Sequence, residues 1–101
     1  MAKGYWIARV DVYDSDGYKT YIELNAVAFK KFGAKFLVRG AGFELKEGTS
    51  RARNVVLEFP TYQAAVDCFN SPEYQKALAT RRPVSSADMI IIEGYEGPQP
   101  S

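Results

Sequence analysis

Histidine is absent from this chain of 101 residues, and cysteine occurs once, at Cys68. The first absence excludes Ser-His-Asp and Cys-His catalysis, the two-His-one-carboxylate iron site and His-ligated haem. The two together argue against a zinc centre. One cysteine cannot form an internal disulfide, which fits a reducing compartment. No run reaches the ~18 apolar residues of a membrane span. The opening "MAKGYWIARV" carries a single Lys and passes straight into a strand pattern, unlike a secretory leader. A cytoplasmic protein is expected. Charge of one sign is missing too: 13 Lys and Arg face 12 Asp and Glu, for a net charge of +1. No global field recruits nucleic acid or an anionic membrane, so neither is expected as a partner. No metal and no resident cofactor are expected. Chemistry here rests on carboxylates, Lys, Arg, Tyr, Asn or Trp.

What remains is an ordinary soluble composition, 47% hydrophobic and 25% charged, with clear periodicity. Residues 3–13 alternate: Trp6, Ala8, Val10 and Val12 point one way, Tyr5, Ile7, Arg9 and Asp11 the other. Asp14 or Ser15 then caps a helix over 17–32, whose apolar stripe includes Tyr18, Tyr21, Ile22, Ala28, Phe29 and Phe32. Gly33 ends it. "AKFLVRG" predicts a second strand, with Phe36 and Val38 opposed to Leu37 and Arg39, and with a bulge or bend at Gly40-Ala41-Gly42. "FELKEGTSRA" reads as a hairpin arm turning at Glu47-Gly48. Residues 53–59 form a third strand that Pro60 closes. Thr61 caps a helical stub over 62–69, and Ser71-Pro72-Glu73 starts a second over 72–79. "TRRPVSS" reads as loop and residues 87–95 as a fourth strand.

The order βαββαβ specifies an α+β, ferredoxin-like fold: one antiparallel four-stranded sheet in spatial order 4-1-3-2, both helical crossovers on one face. Residues 1–96 form a single such domain and 97–101 a tail. The break at Ser71-Pro72 lets two short helices follow a twisted sheet. The other face is left bare. On these phases it carries Tyr5, Ile7, Arg9, Asp11, Leu37, Arg39, Asn54, Val56, Glu58, Met89, Ile91, Glu93 and Tyr95. Such an apolar patch marks an interface, and a twofold homodimer through the open face covers it, burying on the order of 1,600 Å². Arg9 then lies between neighbours carrying Glu58 and Glu93, either in an ion-pair network inside the dimer or, with Tyr95, lining a polar cavity.

Other residues have two readings each. Asn25 sits on the apolar stripe of the first helix, bonded to backbone or aimed into a ligand pocket. Trp6 is core or pocket wall. Tyr18, Tyr21, Tyr62 and Tyr74 line a cleft or pack with hydroxyls outward. Arg39 and Arg53 form a paired guanidinium site for a carboxylate, or salt bridges to Glu44 and Glu58. Cys68 is a buried, inert thiol, with no flanking base.

The segments "YWIARVDVYDSDGYKTYIE", "FLVRG", "RNVVLEFPTYQAAVDCFNSPEYQKAL" and "IIIEGYEGPQP" resemble the domain-of-unknown-function family 1330 of the dimeric α/β-barrel superfamily. The resemblance runs along nearly the whole chain. Its most specific parts are the "EFP-[ST]-Y" turn and the "SPEYQ" restart. It implies a ferredoxin-like protomer whose sheet pairs with that of a second copy to form a barrel. The wider superfamily includes cofactor-free monooxygenases, haem-binding enzymes and isomerase- or dehydratase-like members, with pockets between sheet and helices; the missing histidine fits the haem branch poorly. Three function classes follow. One is a metal-free enzyme on a small hydrophobic or carboxylated metabolite, which needs a cavity of ~300 Å³ or more with convergent polar groups. The second is a non-catalytic ligand-binding or stress-associated dimer, with a small or open cavity and no carboxylate of raised pKa. The third is a purely structural interaction module.

Overall fold

The computed structural model describes residues 1–100; Ser101, the end of the expected tail, lies outside the described residues. Eight elements follow in order: β1 (Gly4–Val12), α1 (Ser15–Phe32), β2 (Lys35–Arg39), β3 (Arg53–Phe59), α2 (Tyr62–Asn70), α3 (Pro72–Arg81), a 3-10 turn (Arg82–Val84) and β4 (Ser85–Glu93). The sheet is four-stranded and antiparallel, in order β2-β3-β1-β4. The fold is α+β and ferredoxin-like, with the crossover from β3 to β4 divided between α2 and α3.

Local chemistry sets the boundaries. Asp14 is extended, and its carboxylate accepts from the amides of Asp16 (3.1 Å) and Gly17 (3.2 Å), capping α1. Gly33 closes that helix at φ 74°, where a side chain is strained. Thr61 caps α2 through the amide of Ala64 at 3.0 Å. Ser71 explains the interrupted crossover. Its hydroxyl donates to the Cys68 carbonyl at 2.7 Å and accepts from the Tyr74 amide at 3.1 Å, so one buried side chain ends α2 and starts α3. Pro72 occupies the first turn of α3, where no amide is needed.

The core lies between the sheet and the three helices. Trp6 is its hub, in contact with Phe29, Phe59, Phe69 and Tyr74 at ring-centroid distances of 4.8 to 6.0 Å. Its indole N–H donates to the Ala65 carbonyl at 2.9 Å, which ties β1 to α2 and places Trp6 in the core. Burying each large apolar side chain here contributes about 1.5–3 kcal/mol.

The register corrects the expected faces of two strands. β4 pairs Trp6 with Ile91 and Ala8 with Met89, so Met89 and Ile91 face the helices while Ile90 and Ile92 face outward. The run Met89-Ile90-Ile91-Ile92 has no alternation, so only the pairing fixes its phase. In β2 the register shifts between Phe36 and Val38: Phe36 pairs with Leu57, Val38 with Val56 and Arg39 with Val55. The irregularity falls at Leu37, not at Gly40-Ala41-Gly42, and it turns Arg39 to the helix side. The expected hairpin arm is instead an irregular loop over 41–52. α3 also runs two residues past its expected end, and β4 starts at Ser85 rather than 87.

Candidate functional site

The two faces of the sheet offer two different environments. The outer face carries Ile7, Val38, Ile90 and Ile92, all at least a third exposed with no helix above them. Arg9 lies there, but opposite Asn54 and Asp88 rather than between Glu58 and Glu93. Glu58 sits opposite Tyr5 and accepts from its hydroxyl at 3.1 Å and from Lys3 at 3.4 Å. Glu93 falls in the phase of Gly4 at the end of β4. Tyr95 lies beyond the strand, exposed, its hydroxyl donating to the Pro98 carbonyl. The expected grouping of Arg9, Glu58, Glu93 and Tyr95 does not form: Glu58 pairs with Tyr5 rather than Arg9, β4 is one residue out of the assumed phase, and Tyr95 lies past its end. The outer charge cluster that does form is Arg51, which bridges Asp11 (2.9 Å) and Asp88 (2.8 Å).

The inner face holds the better site. Between the four strands on one side and α1 and α3 on the other lies a cavity whose walls include Trp6, Tyr18, Phe29, Phe36, Leu57 and Tyr74. Its polar groups come from separate elements: Asn25 and Tyr21 from α1, Arg39 from β2, Arg53 from β3, and Tyr74 and Arg81 from α3. Asn25, Arg39 and Arg53 were candidates from the sequence, and the structure brings them together; Tyr62 stays exposed outside. The enclosed volume is about 40 Å³, room for one or two waters, and counting the open mouth the empty space is about 520 Å³. The closed space therefore falls short of the ~300 Å³ expected of an enzyme pocket.

Three arginines line this cavity and no aspartate or glutamate does. Among the described residues, none of the three makes an ion pair. Glu44 is taken by Lys46, and Glu58 by Lys3 and Tyr5. Arg81 is buried, at 9% exposure, with its guanidinium 5.5 Å from the Tyr21 ring. Arg53 stands in the phase of Val10, its guanidinium 5.8 Å from the Tyr18 ring, and its Nε is buried without a hydrogen-bond partner. Gly40 makes this possible: a Cβ there would lie 2.6 Å from Arg53 Nη1, and its φ of +64° excludes most side chains. Arg39 lies over the Phe36 ring at 4.1 Å, near the mouth.

At the floor the hydroxyls of Tyr21 and Tyr74 are 2.8 Å apart. Burial raises the pKa of both, and each phenol's neighbour adds to or offsets that rise without reversing it. Tyr18 is raised as well, chiefly by burial, with Arg53 pulling against it. These phenols are protonated donors at neutral pH, not bases. Asn25 is close enough to Tyr21 to act on its hydroxyl. Cys68 lies away from this cavity, and burial, aided by the Glu73 charge, pushes its thiol up to about 12. The arrangement supplies hydrogen-bond donors and positive charge to an oxyanion, and no carboxylate base.

The residue that sequence reasoning missed is Arg81, because "TRRPVSS" reads as loop. The signal was there: Tyr74, Ala77, Leu78 and Arg81 recur at helical spacing, and all four are buried. Among the described residues no group of three His, Cys, Asp or Glu is placed to hold a metal, and no helix is long and apolar enough to cross a membrane.

A family model described as Domain of unknown function (DUF1330) matches residues 3–95. The chain belongs to the DUF1330 family. A search of curated proteins finds no significant match to this DUF1330 chain. Among solved structures it is similar to the RPA0582 protein of unknown function from Rhodopseudomonas palustris, with a TM-score of 0.73 and 15% identity over 95% of this chain and 85% of that one. It is similar to SnoaB, a cofactor-independent oxygenase from Streptomyces nogalater, with a TM-score of 0.62 and 11% identity over 96% and 97% of the two chains. A dimeric ferredoxin-like protein of unknown function from Thermobifida fusca is also similar, with a TM-score of 0.54 and 18% identity over 91% of each chain. At these identities the likeness shows the fold.

Proposed function

We propose that this DUF1330 protein is a homodimer that takes a small hydrophobic or carboxylated metabolite into the cavity between sheet and helices, and acts on it as a metal-free enzyme of monooxygenase or isomerase type. The observation that carries the reading is the donor set on aromatic walls: Asn25, Tyr21, Tyr74 and the arginines converge where an enolate or peroxide oxygen would develop charge. With no carboxylate base in the cavity, the substrate must be acidic enough to lose its proton to solvent once its anion is stabilised. Fold similarity to a cofactor-independent oxygenase supports this direction. The outer face, with Ile7, Val38, Ile90 and Ile92 uncovered, supports pairing with a second copy.

Oxygen uptake with a panel of acidic phenols and β-keto acids, in the presence of a chelator, tests the oxygenase form; isomerisation of the same compounds is followed by NMR. Turnover that the chelator leaves unchanged is expected, and panel members that bind but never turn over refute catalysis. The second reading, a non-catalytic ligand-binding or stress-associated dimer, is favoured by the small enclosed volume and by the lack of any carboxylate lining the cavity. Binding without turnover is its signature.

A further inference from the structure

Charge is the feature of the cavity that its similarity to other folds does not explain. A buried guanidinium carries a desolvation cost of several kcal/mol unless an anion accompanies it. Elsewhere in this protein cations nearer to solvent are paired: Arg51 is held by two aspartates, and the exposed Lys31 by Glu73 at 2.8 Å. The arginines of the cavity are not. Arg81 is nine-tenths buried, Arg53 has a buried Nε with no acceptor, and the protein supplies neither with a carboxylate among the described residues. Each instead flanks a tyrosine ring, Arg53 that of Tyr18 and Arg81 that of Tyr21, and these rings lie 5.3 Å apart.

Resting on the reading of this cavity as a ligand site, we infer that it binds the carboxylate of a small aromatic acid, with Arg53 and Arg81 holding the anionic head and Arg39 guarding the mouth. Planar guanidinium groups match a planar carboxylate. The walls define the rest. Phe29 and Phe36 meet edge to face at 5.8 Å, and with Tyr18 they give an aromatic body a surface to pack on between the head and the mouth. Arg39, exposed over Phe36, must swing aside for that body to enter.

Benzoate and phenylacetate serve as probes, with benzamide and inorganic phosphate as controls, in calorimetric titrations of the whole protein. Benzoate is expected to bind, benzamide to bind at least tenfold more weakly, and phosphate to compete poorly. Arg53→Gln, at a half-buried site, is expected to weaken benzoate roughly 30-fold or more, as loss of a buried charged partner does. Arg81→Lys, which keeps the charge and loses the fork, is expected to fall in between; Arg9→Gln on the outer face is expected to change nothing. Benzamide binding as tightly as benzoate overturns the anion assignment and leaves the cavity reading standing. Phosphate binding as tightly overturns the carboxylate. Benzoate affinity untouched by Arg53→Gln and by Arg81→Lys overturns the residue assignment. Failure of every organic probe to bind overturns the inference together with the reading it rests on.

Discussion

Tyr21 of α1 and Tyr74 of α3 share a hydrogen bond of 2.8 Å between their hydroxyls, beneath the cavity and 53 residues apart in sequence. Each ring is nearly inaccessible to solvent, and each hydroxyl has the other as its hydrogen-bond partner. The pair fixes the spacing of the two helices that carry Asn25 and Arg81.

Removing either hydroxyl therefore breaks the same bond. Tyr21→Phe and Tyr74→Phe are each expected to cost about 1–2 kcal/mol in urea unfolding, and the double variant little more than one alone. Strictly additive costs would show that the two hydroxyls are stabilised independently.

The outer charge cluster makes stability depend on acid. Asp11 accepts from the Ala52 amide at 3.0 Å and from Arg51 at 2.9 Å. The Ala52 bond is the largest influence and holds its carboxyl below the usual aspartate range; burial opposes it, and Arg51 adds to the lowering. A folded pKa below the unfolded value of about 3.9 means that the contribution is complete above that pH and fades as pH falls through the depressed value. Glu73 is lowered too, first by the hydrogen bond from Lys31, and acts in the same direction. Asp11→Asn is thus expected to lower Tm at pH 7 and to converge with wild type as pH falls below the ordinary aspartate range. Thermal unfolding of both proteins across that range checks it; curves that stay parallel refute the role of Asp11.

The architecture was legible in the sequence wherever one physical rule dominated. β1 and β3 alternate cleanly because each has one buried face. The ends of α1 are written in Asp14 and Gly33, and the helix break in Ser71-Pro72. The site was less legible, for three separate reasons. A bulge at Leu37 leaves no mark on composition yet moves Arg39 across the sheet. Three consecutive isoleucines in β4 suit either face, so pairing with β1 alone decides which are buried. Arg81 looks solvated because arginine usually is; its burial depends on α3 continuing to where the cavity floor needs a side chain. Asn25 was legible because an amide on an apolar stripe breaks the pattern.

The exposed isoleucines give a direct test of the homodimer. Ile7 and Ile90 are paired across β1 and β4 on the uncovered face, 36% and 53% exposed. Ile90→Glu places a charge in the middle of that face with little cost to the isolated chain, since the side chain already meets water. Sedimentation velocity is expected to show a dimer for wild type and a monomer for the variant, with unchanged far-UV circular dichroism. A monomeric wild type at micromolar concentration, or a variant that still dimerises fully, counts against pairing through this sheet.

Ser71 and Pro72 both mark the break between α2 and α3, but only one of them is expected to matter for stability. The Ser71 hydroxyl satisfies the Cys68 carbonyl and the Tyr74 amide at once, in a position only 6% exposed. Ser71→Ala leaves both without that partner and is expected to cost about 1–2 kcal/mol. Pro72 sits where the helix needs no amide, so its replacement by Ala mainly loosens the unfolded chain and is expected to cost less than ~1 kcal/mol. Urea midpoints at constant m-value measure both. A larger loss for Pro72→Ala than for Ser71→Ala would mean that ring rigidity, not the bridging hydroxyl, folds the crossover over the sheet and so sets where Tyr74 and Arg81 meet the cavity.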